Sequence, residues 1–445
     1  MPLKISISGV RGTVPDSLTP EIALDLAKAF GTYLGGGKVV VGTDSRATSE
    51  FIKGIVFSGL LATGCKVIDL GIAPTPTVGI MTRELAAAGG IVITASHNPL
   101  PWNGLKFMRS DGIFLNQEQA NKFLAIYEQK KFKPAPAGGV SSNNKALDIH
   151  IAKALKASNP LAIKLRRLKV AVDACNGAGS IILPRFLEKL GCKVIAINCN
   201  PKLPFPHPPE PTAENLSELV ELVKAKKADV GFAMDSDADR LAVVSDAGEA
   251  VGEEATLALV TKFVIGKKIH LNSKKKIVVI NLSTTKAIDD ICQANGARVI
   301  RTKVGEVNVS EELKSVKALI GGEGNGGVIY PKVGYNRDAI TGAGLILSLL
   351  AFSGKKLSRL VEELPHYEMI KTKIECASLE QANAYLEKVK ARFAGSDLIL
   401  TEGIKVVLPD AWVHIRPSNT EPIIRLIAEG TTKAKAAALI ERATA

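Results

Sequence analysis

Long hydrophobic runs are missing from this chain of 445 residues: the longest, near Gly344–Phe352, is interrupted by Ser348. A helix needs about 18 consecutive apolar residues to span a bilayer, so no membrane-spanning segment is expected. The opening Met1-Pro2-Leu3-Lys4-Ile5-Ser6 holds no sustained apolar stretch, which argues against a cleaved export signal and for a cytoplasmic location. Cysteine is sparse and scattered. Cys65, Cys175, Cys192, Cys199, Cys292 and Cys376 form no Cys-x-x-Cys pair and have no histidine at zinc spacing. They read as small hydrophobes in a reducing compartment rather than as metal ligands. Aromatics make up only 5% of the residues, and no arginine-rich arm exists. Basic runs such as Lys274-Lys275-Lys276 precede apparent strands and read as solvated edges, so nucleic acid is not the expected partner.

What is present is an ordinary globular composition, 46% hydrophobic and 23% charged. The length suits roughly three domains of about 150 residues. Fifty-seven Lys and Arg against 44 Asp and Glu leave a net charge of +13. That balance suits an anionic partner, and small phosphorylated substrates satisfy it as well as a polyanion does.

The most informative pattern is internal. Lys38-Val39-Val40-Val41, Lys169-Val170-Ala171-Val172 and Lys276-Ile277-Val278-Val279 each open an apolar β-branched run, followed by a polar or glycine-bearing turn and a helical segment. A shared phrase comes next: Gly64-Cys65-Lys66-Val67-Ile68, Gly191-Cys192-Lys193-Val194-Ile195 and Gly296-Ala297-Arg298-Val299-Ile300. Its glycine suits a helix C-cap, and its Val-Ile pair suits the next strand. A third apolar strand then ends in an unusual polar loop in each unit: Gly90–Ser96, Val230–Asp235 and Ala318–Glu323. This alternation predicts α/β units with buried, mainly parallel strands, whose ligands bind beyond the strands' carboxyl ends. Ser96, Asp235 and Glu323 therefore hold equivalent places in three copies. Three loops facing one cleft is the economical arrangement.

Thr19-Pro20 predicts a capped helix start and Gly35-Gly36-Gly37 its end, with Ala23, Leu26, Ala27 and Phe30 on one face. Leu216, Leu219, Val220 and Val223 repeat that stripe, and both stripes read as core. Pro134-Ala135-Pro136-Ala137-Gly138-Gly139 through Asn144 is the clearest loop, and further junctions fall near Gly248–Glu253 and Pro365. The repeat phrases stop after about residue 366. The expected fold class is α/β: three related domains at 1–148, 149–250 and 251–366 with mixed, mainly parallel sheets, and a smaller α+β domain at 367–445, around a central cleft.

Four loops carry candidate chemistry. In Asp235-Ser236-Asp237-Ala238-Asp239-Arg240, alternate residues point the same way, so three carboxylates converge and repel unless a cation lies between them. Hard oxygen ligands of this kind suit Mg²⁺. An EF-hand does not fit, because Arg240 stands where that loop needs Gly and Asp246 where it needs Glu. A solvated acidic turn is the bland alternative, and the apolar flanks argue against it. In Thr94-Ala95-Ser96-His97-Asn98-Pro99 the serine lacks the Gly-x-Ser-x-Gly elbow of hydrolases. Alone, a Ser-His pair is commonly a turn with local hydrogen bonds. Opposite the acidic loop, a hydroxyl facing Mg²⁺ and basic residues can accept a phosphoryl group.

Gly322-Glu323-Gly324-Asn325-Gly326-Gly327 matches Gly-x-Gly-x-x-Gly, but Pro331 follows where a dinucleotide site needs a helix. Its glycines instead admit a close ligand, with Glu323 and Asn325 offering acceptor and donor groups to sugar hydroxyls. The glycine-rich run ending at Lys38 is no P-loop, since Thr32 replaces the first Gly and Val39 the Ser/Thr. Arg416-Pro417-Ser418-Asn419-Thr420-Glu421-Pro422, with Arg425, makes either a dianion clamp or ordinary turn and capping chemistry, and the clamp is favoured.

In this order, the four loops resemble the α-D-phosphohexomutase family over essentially the whole chain. Thr94–Pro99 looks like its phosphoserine loop, Asp235–Arg240 its metal loop, Gly322–Gly327 its sugar loop and Arg416–Pro422 its phosphate loop. Ser8-Gly9-Val10-Arg11-Gly12-Thr13, Asn103-Gly104-Leu105-Lys106 and Pro209–Leu216 match as well. The resemblance implies an isomerase that interconverts hexose 6- and 1-phosphates through a phosphoserine and a bound hexose 1,6-bisphosphate. Ser96 would carry the phosphoryl group, and Mg²⁺ would be held by Asp235, Asp237, Asp239 and the phosphate on Ser96. Arg11, Lys106, Arg240 and His97 would support the reacting phosphate or relay protons. Glu323, Gly324, Asn325 and Lys303 would bind the sugar. Arg416, Ser418, Asn419, Thr420 and Arg425 would hold the other phosphate. The partners are then small sugar phosphates, bound by a monomer or homodimer.

Many relatives have Ser then His where this chain has Asn325 and Gly327, and His or Asp where Glu306 follows Lys303-Val304-Gly305. The loop Gly322–Gly327 looks most like phosphoglucosamine mutases of archaeal type, so glucosamine phosphate is expected ahead of mannose or glucose phosphate. The group at C2 stays open. A strand running into Asp-x-Asp is shared with haloacid-dehalogenase-like phosphatases, but Asp239 stands for their Thr or Val, and neither Ser96 nor the tail clamp has a role there. A non-catalytic binder would not need the serine and metal loops together.

Overall fold

In the computed structural model, which describes residues 3–7, 9–266, 276–376, 378–418 and 423–445, the strands gather into four sheets. The β-branched runs form the central strands Gly37–Thr43, Lys169–Asp173 and Ile277–Asn281, buried over most of their length. Each pairs in parallel with the strand after its helix: Cys65–Ile72, Lys193–Ile197 or Arg298–Thr302. On its other side each pairs in parallel with a loop-bearing strand: Gly89–Ile93, Val230–Met234 or Ile320–Glu323. A fourth strand, Trp102–Arg109, Leu241–Ser245 or Gly327–Ile329, returns antiparallel beside that one. The sequence repeat is thus a repeat of topology. In each copy the strand order reverses at the central strand, which opens a crevice at the carboxyl ends where such sheets bind ligands.

The first sheet is extended by Gly9–Thr13 and Lys4–Ser6 at one edge and by Val140–Ser142 at the other. That last strand lies inside the segment read as a loop. It is three exposed residues long and carries no apolar alternation to betray it. The fourth sheet is antiparallel throughout, in the order Glu368–Glu375, Ile423–Gly430, Ala411–Pro417, Ile404–Leu408, Asp397–Ile399.

Helix Pro20–Leu34 starts as predicted: Thr19 Oγ1 accepts from Ile22 N at 3.3 Å, and Gly35 takes a left-handed φ of 71°. Ala23, Leu26, Ala27 and Phe30 are fully buried. In the second unit Leu216 precedes helix Ser217–Lys226; Leu216, Leu219 and Val223 are buried, while Val220 is only partly so. The repeat glycines are not the caps themselves. Helices Ser49–Leu61, Gly179–Lys189 and Ala287–Ala294 are capped by Ala62, Leu190 and Asn295. Gly64, Gly191 and Gly296 follow with φ of 77°, 78° and 62° and turn the chain into the next strand.

The apolar run noted above lies in helix Ala339–Ser353, whose Leu345, Ile346 and Leu347 share one core with Phe186, Phe232 and Val260. Each such side chain contributes about 1.5–3 kcal/mol on burial. Among the described residues no helix is long and apolar enough to cross a membrane. The fourth unit docks on the third through polar contacts. His414 Nε2 donates to Glu402 O at 2.8 Å, which leaves Nδ1 to accept from Ser283 Oγ at 2.9 Å. Lys405 Nζ donates to Leu282 O, and Glu429 Oε2 accepts from Lys286 N at 2.7 Å.

Candidate active site

Ser96 follows the strand Gly89–Ile93 with φ of 50°, a left-handed backbone that costs a non-glycine residue on the order of 1–3 kcal/mol. Surrounding contacts must therefore hold it. The chief of these is Arg46, which sequence analysis missed. Its Nη2 donates to Ser96 O and Asn98 O, both at 2.6 Å, and its Nη1 to Pro99 O at 2.7 Å and Trp102 O at 3.0 Å. Its Nε pairs with Asp44 Oδ2 at 3.0 Å, an oxygen that also accepts from Thr94 Oγ1 at 2.7 Å. A signal was available: Asp44-Ser45-Arg46 directly follows the first strand of the unit, at the same sheet end as the third-strand loops.

Ser96 Oγ donates to Asp235 Oδ2 at 2.9 Å, so the serine and acidic loops meet. Asp235, Asp237 and Asp239 are all 0% exposed, and they offer ligand atoms within 4.8 Å of one another. Burial, then repulsion by Asp239 and Asp237, raises the Asp235 carboxyl well above the usual carboxylate range. Burial opposes the charge on Asp237 as well, but Lys106 Nζ at 2.6 Å and Thr75 Oγ1 at 2.5 Å hold that carboxyl low. Asp237 Oδ1 and Asp239 Oδ1 are buried without a hydrogen-bond partner. Two orphaned carboxylate oxygens beside a third carboxylate are the donor set of a hard divalent cation such as Mg²⁺.

A second residue that sequence analysis missed ties the acidic loop to the glycine loop. Arg337 Nη2 lies 2.7 Å from Asp239 Oδ2, Nη1 3.0 Å from Glu323 Oε2, and Nε 3.1 Å from Glu306 Oε2. Burial works against its charge, but these three carboxylates more than restore it. Glu306, where the sequence departs from many relatives, is thus a partner of Arg337. Burial raises the Glu306 carboxyl to about 7 even so. No spacing in Asn336-Arg337-Asp338 marks the arginine. Glu323 Oε1 accepts from Asn281 Nδ2 at 2.9 Å and Gly305 N at 3.0 Å, and Asn325 Oδ1 is buried without a partner.

The cations surround these loops. Arg240 Nη2 donates to His97 Nδ1 at 3.0 Å, and its Nη1 pairs with Glu210 Oε1 at 3.0 Å. Burial, then the charges of Arg240 and Arg11, push His97 down to about 2, so its ring is neutral and an acceptor. Arg11 Nη1 donates to Asn98 Oδ1 at 2.9 Å and Ala95 O at 3.2 Å. Together they wall a cleft of two adjoining chambers, about 580 and 600 Å³, that share Arg11, Arg240, Glu323, Asn325, Arg416 and Arg425. His97 and Gly324 line the first chamber, Lys106 and Ser418 the second. Lys303 is exposed and stands off this lining, where Val304 and Gly305 face the cleft instead. Asn419 and Thr420 lie outside the described residues, as does Ser8. Glu254 and Lys371 line the first chamber without having been singled out from the sequence.

Comparison with known proteins extends this picture to the whole chain. Family models described as phosphoglucomutase/phosphomannomutase, alpha/beta/alpha domains I, II and III match residues 3–134, 149–248 and 253–367. The model of the C-terminal domain matches residues 369–445. A phosphoglucomutase/phosphomannomutase of Thermococcus kodakarensis is 40% identical over 97% of this chain and 96% of its own. A probable phosphoglucosamine mutase of Methanopyrus kandleri is 37% identical over 96% of this chain and 94% of its own. Among solved structures, a phosphoglucomutase/phosphomannomutase family protein of Burkholderia thailandensis superposes with a TM-score of 0.85 at 25% identity, covering 98% of this chain and 96% of that one.

Proposed function

The chain belongs to the phosphoglucomutase/phosphomannomutase family of α-D-phosphohexomutases, and from that premise we propose that its cleft interconverts glucosamine 6-phosphate and glucosamine 1-phosphate. The observation that carries the reading is the 2.9 Å contact of Ser96 Oγ with Asp235, beside two orphaned carboxylate oxygens. Asp235, Asp237 and Asp239 would hold Mg²⁺, which supplies charge neutralisation at a phosphoryl group.

Arg416, Arg425 and Ser418 bind the substrate's own phosphate, and Glu323 and Asn325 take ring hydroxyls. The free sugar hydroxyl then attacks a phosphoryl group on Ser96. A new P–O bond forms to the sugar, the P–Oγ bond breaks, and the hydroxyl proton ends on Ser96 Oγ. Arg11, Lys106 and Arg240 balance the phosphoryl charge as it moves. The resulting 1,6-bisphosphate turns over in the cleft, and the reverse transfer from its other end restores the phosphoserine. One clamp serves both orientations. The names of the two relatives divide between the sugars, and the resemblance of Gly322–Gly327 to phosphoglucosamine mutases of archaeal type tips the reading to glucosamine.

The test is to incubate the protein with Mg²⁺, a trace of hexose 1,6-bisphosphate and each 6-phosphate of glucosamine, glucose and mannose, followed by phosphorus NMR. Conversion to 1-phosphate, fastest with glucosamine, is the expected result. Release of inorganic phosphate without isomer would establish a hydrolase instead.

A further inference from the structure

The glycine loop packs against a carboxylate to which the reaction above gives no task. Glu254 stands at the start of helix Glu253–Gly266 and lines the first chamber beside Glu323, Gly324 and Asn325. A β-carbon on Gly324 would meet Glu254 Oε1 at 1.9 Å and Oε2 at 2.1 Å. The carboxylate therefore lies against bare backbone between the two side chains that take ring hydroxyls. Oε2 accepts from Thr285 N at 3.0 Å, while among the described residues no donor meets Oε1. The nearby cation is engaged elsewhere, for Lys371 Nζ pairs with Glu253 Oε2 at 3.2 Å. Burial pushes the Glu254 carboxyl up to about 8 despite Lys371, as happens to an acid whose surroundings hold no matched counter-charge.

Without a ligand a carboxyl so raised keeps its proton near neutral pH, which spares the phosphates of the cleft its charge. It ionises where the ligand brings a positive charge to that point. In the mutase reading Glu323 and Asn325 take adjacent ring hydroxyls, and in one of the two orientations of the sugar the carbon beside that pair, C2, comes to the backbone between them. We infer that Glu254 is a specificity-determining residue that pairs with an ammonium group at C2, so that the cleft selects hexosamine phosphates over hexose phosphates. The inference rests on the sugar-phosphate mutase reading and names the residue that would set its substrate class.

Glu254→Gln retains the acceptor for Thr285 N and the side-chain volume but removes the capacity to ionise. The ratio of kcat/KM for glucosamine 6-phosphate to that for glucose 6-phosphate should fall at least tenfold in the variant. An unchanged ratio, including an equal loss on both sugars, would overturn the assignment and leave the mutase reading intact. A second measurement needs no variant. In calorimetry the wild-type protein should bind glucosamine 6-phosphate at least tenfold more tightly than its N-acetyl derivative or glucose 6-phosphate, and equal affinities would overturn the inference. If the wild-type chain isomerises none of these sugars, the mutase reading falls and this inference with it.

Discussion

Replacing Arg46 by Met tests whether the serine loop is imposed from beneath. The Arg46 side chain is 0% exposed and makes four hydrogen bonds to backbone carbonyls besides its pair with Asp44. A hydrogen bond to a charged group is worth about 1.5–3 kcal/mol, but bonds in one network are not additive. Breaking a buried ion pair by removing one partner costs about 3–5 kcal/mol, because the other charge is left uncompensated. We take that range as the expected loss for the whole site. It is a large part of the ~5–15 kcal/mol by which a domain is stable. The catalytic effect is separate and equally readable. Without its anchors Ser96 leaves the strained φ of 50°, and a displacement of about 1 Å in a reacting group costs about 100-fold in rate. The assay pairs urea denaturation with the phosphorus NMR turnover measurement. Arg46→Lys should fall between wild type and Arg46→Met, since an ammonium has three donors and no fork. If Arg46→Met lost less than about 1 kcal/mol and kept turnover within threefold, the loop would be held by something else.

Ser96→Ala should leave no detectable isomerisation while unfolding within about 1 kcal/mol of wild type; full isomerase activity in that variant would sink the phosphoserine assignment. Mg²⁺ at 100 times its dissociation constant should stabilise the wild-type protein by about 2.7 kcal/mol in a thermal melt, and Asp237→Asn should abolish that shift. An undiminished shift in the variant would move the metal to other ligands. Burial, followed by the charges of Lys405 and Arg416, lowers His414 to about 4, below the free imidazole at 6.5. The fold thus prefers the neutral ring, and its contribution is complete above pH 6.5 and is lost as the pH falls through 4. The loss is on the order of 3 kcal/mol at about 1.36 kcal/mol per pH unit. His414→Gln should flatten the stability curve across that window, and parallel curves for the two proteins would refute the assignment.

Much of the fold was legible because the chain repeats itself. Valine-rich runs, a glycine phrase and a third strand recur at a spacing that alternating strands and helices alone explain. Ser96, Asp235 and Glu323 could be found by equivalence, since each lies at or just beyond the end of a third strand. Arg46 and Arg337 could not be found that way. Their partners are distant in the chain: Arg46 reaches carbonyls 50 to 56 positions away within its own unit, and Arg337 reaches Asp239 of the second unit, 98 positions away, contacts that no local spacing encodes. Glu254 was hidden for a different reason. Glu253-Glu254 at a helix start reads as ordinary helix-dipole chemistry, and only the bare backbone of Gly324 reveals where the second carboxylate goes. The edge strand Val140–Ser142 was missed because its three residues are all exposed and show no apolar alternation.

The recurrence of one strand order in three sheets has a consequence for how such a molecule arises. A duplicated fold carries its ligand crevice with it, so a chain made of three copies begins with three sites and needs one. Here the copies have diverged in trade rather than in shape: one supplies a hydroxyl, one a nest of carboxylates, one a glycine-lined seat. No copy retains the whole reaction, and each is freed from the others' chemical demands. Selection can therefore retune the seat without touching the serine loop. On this view, a family that spans several hexose phosphates is what ancestral triplication would produce.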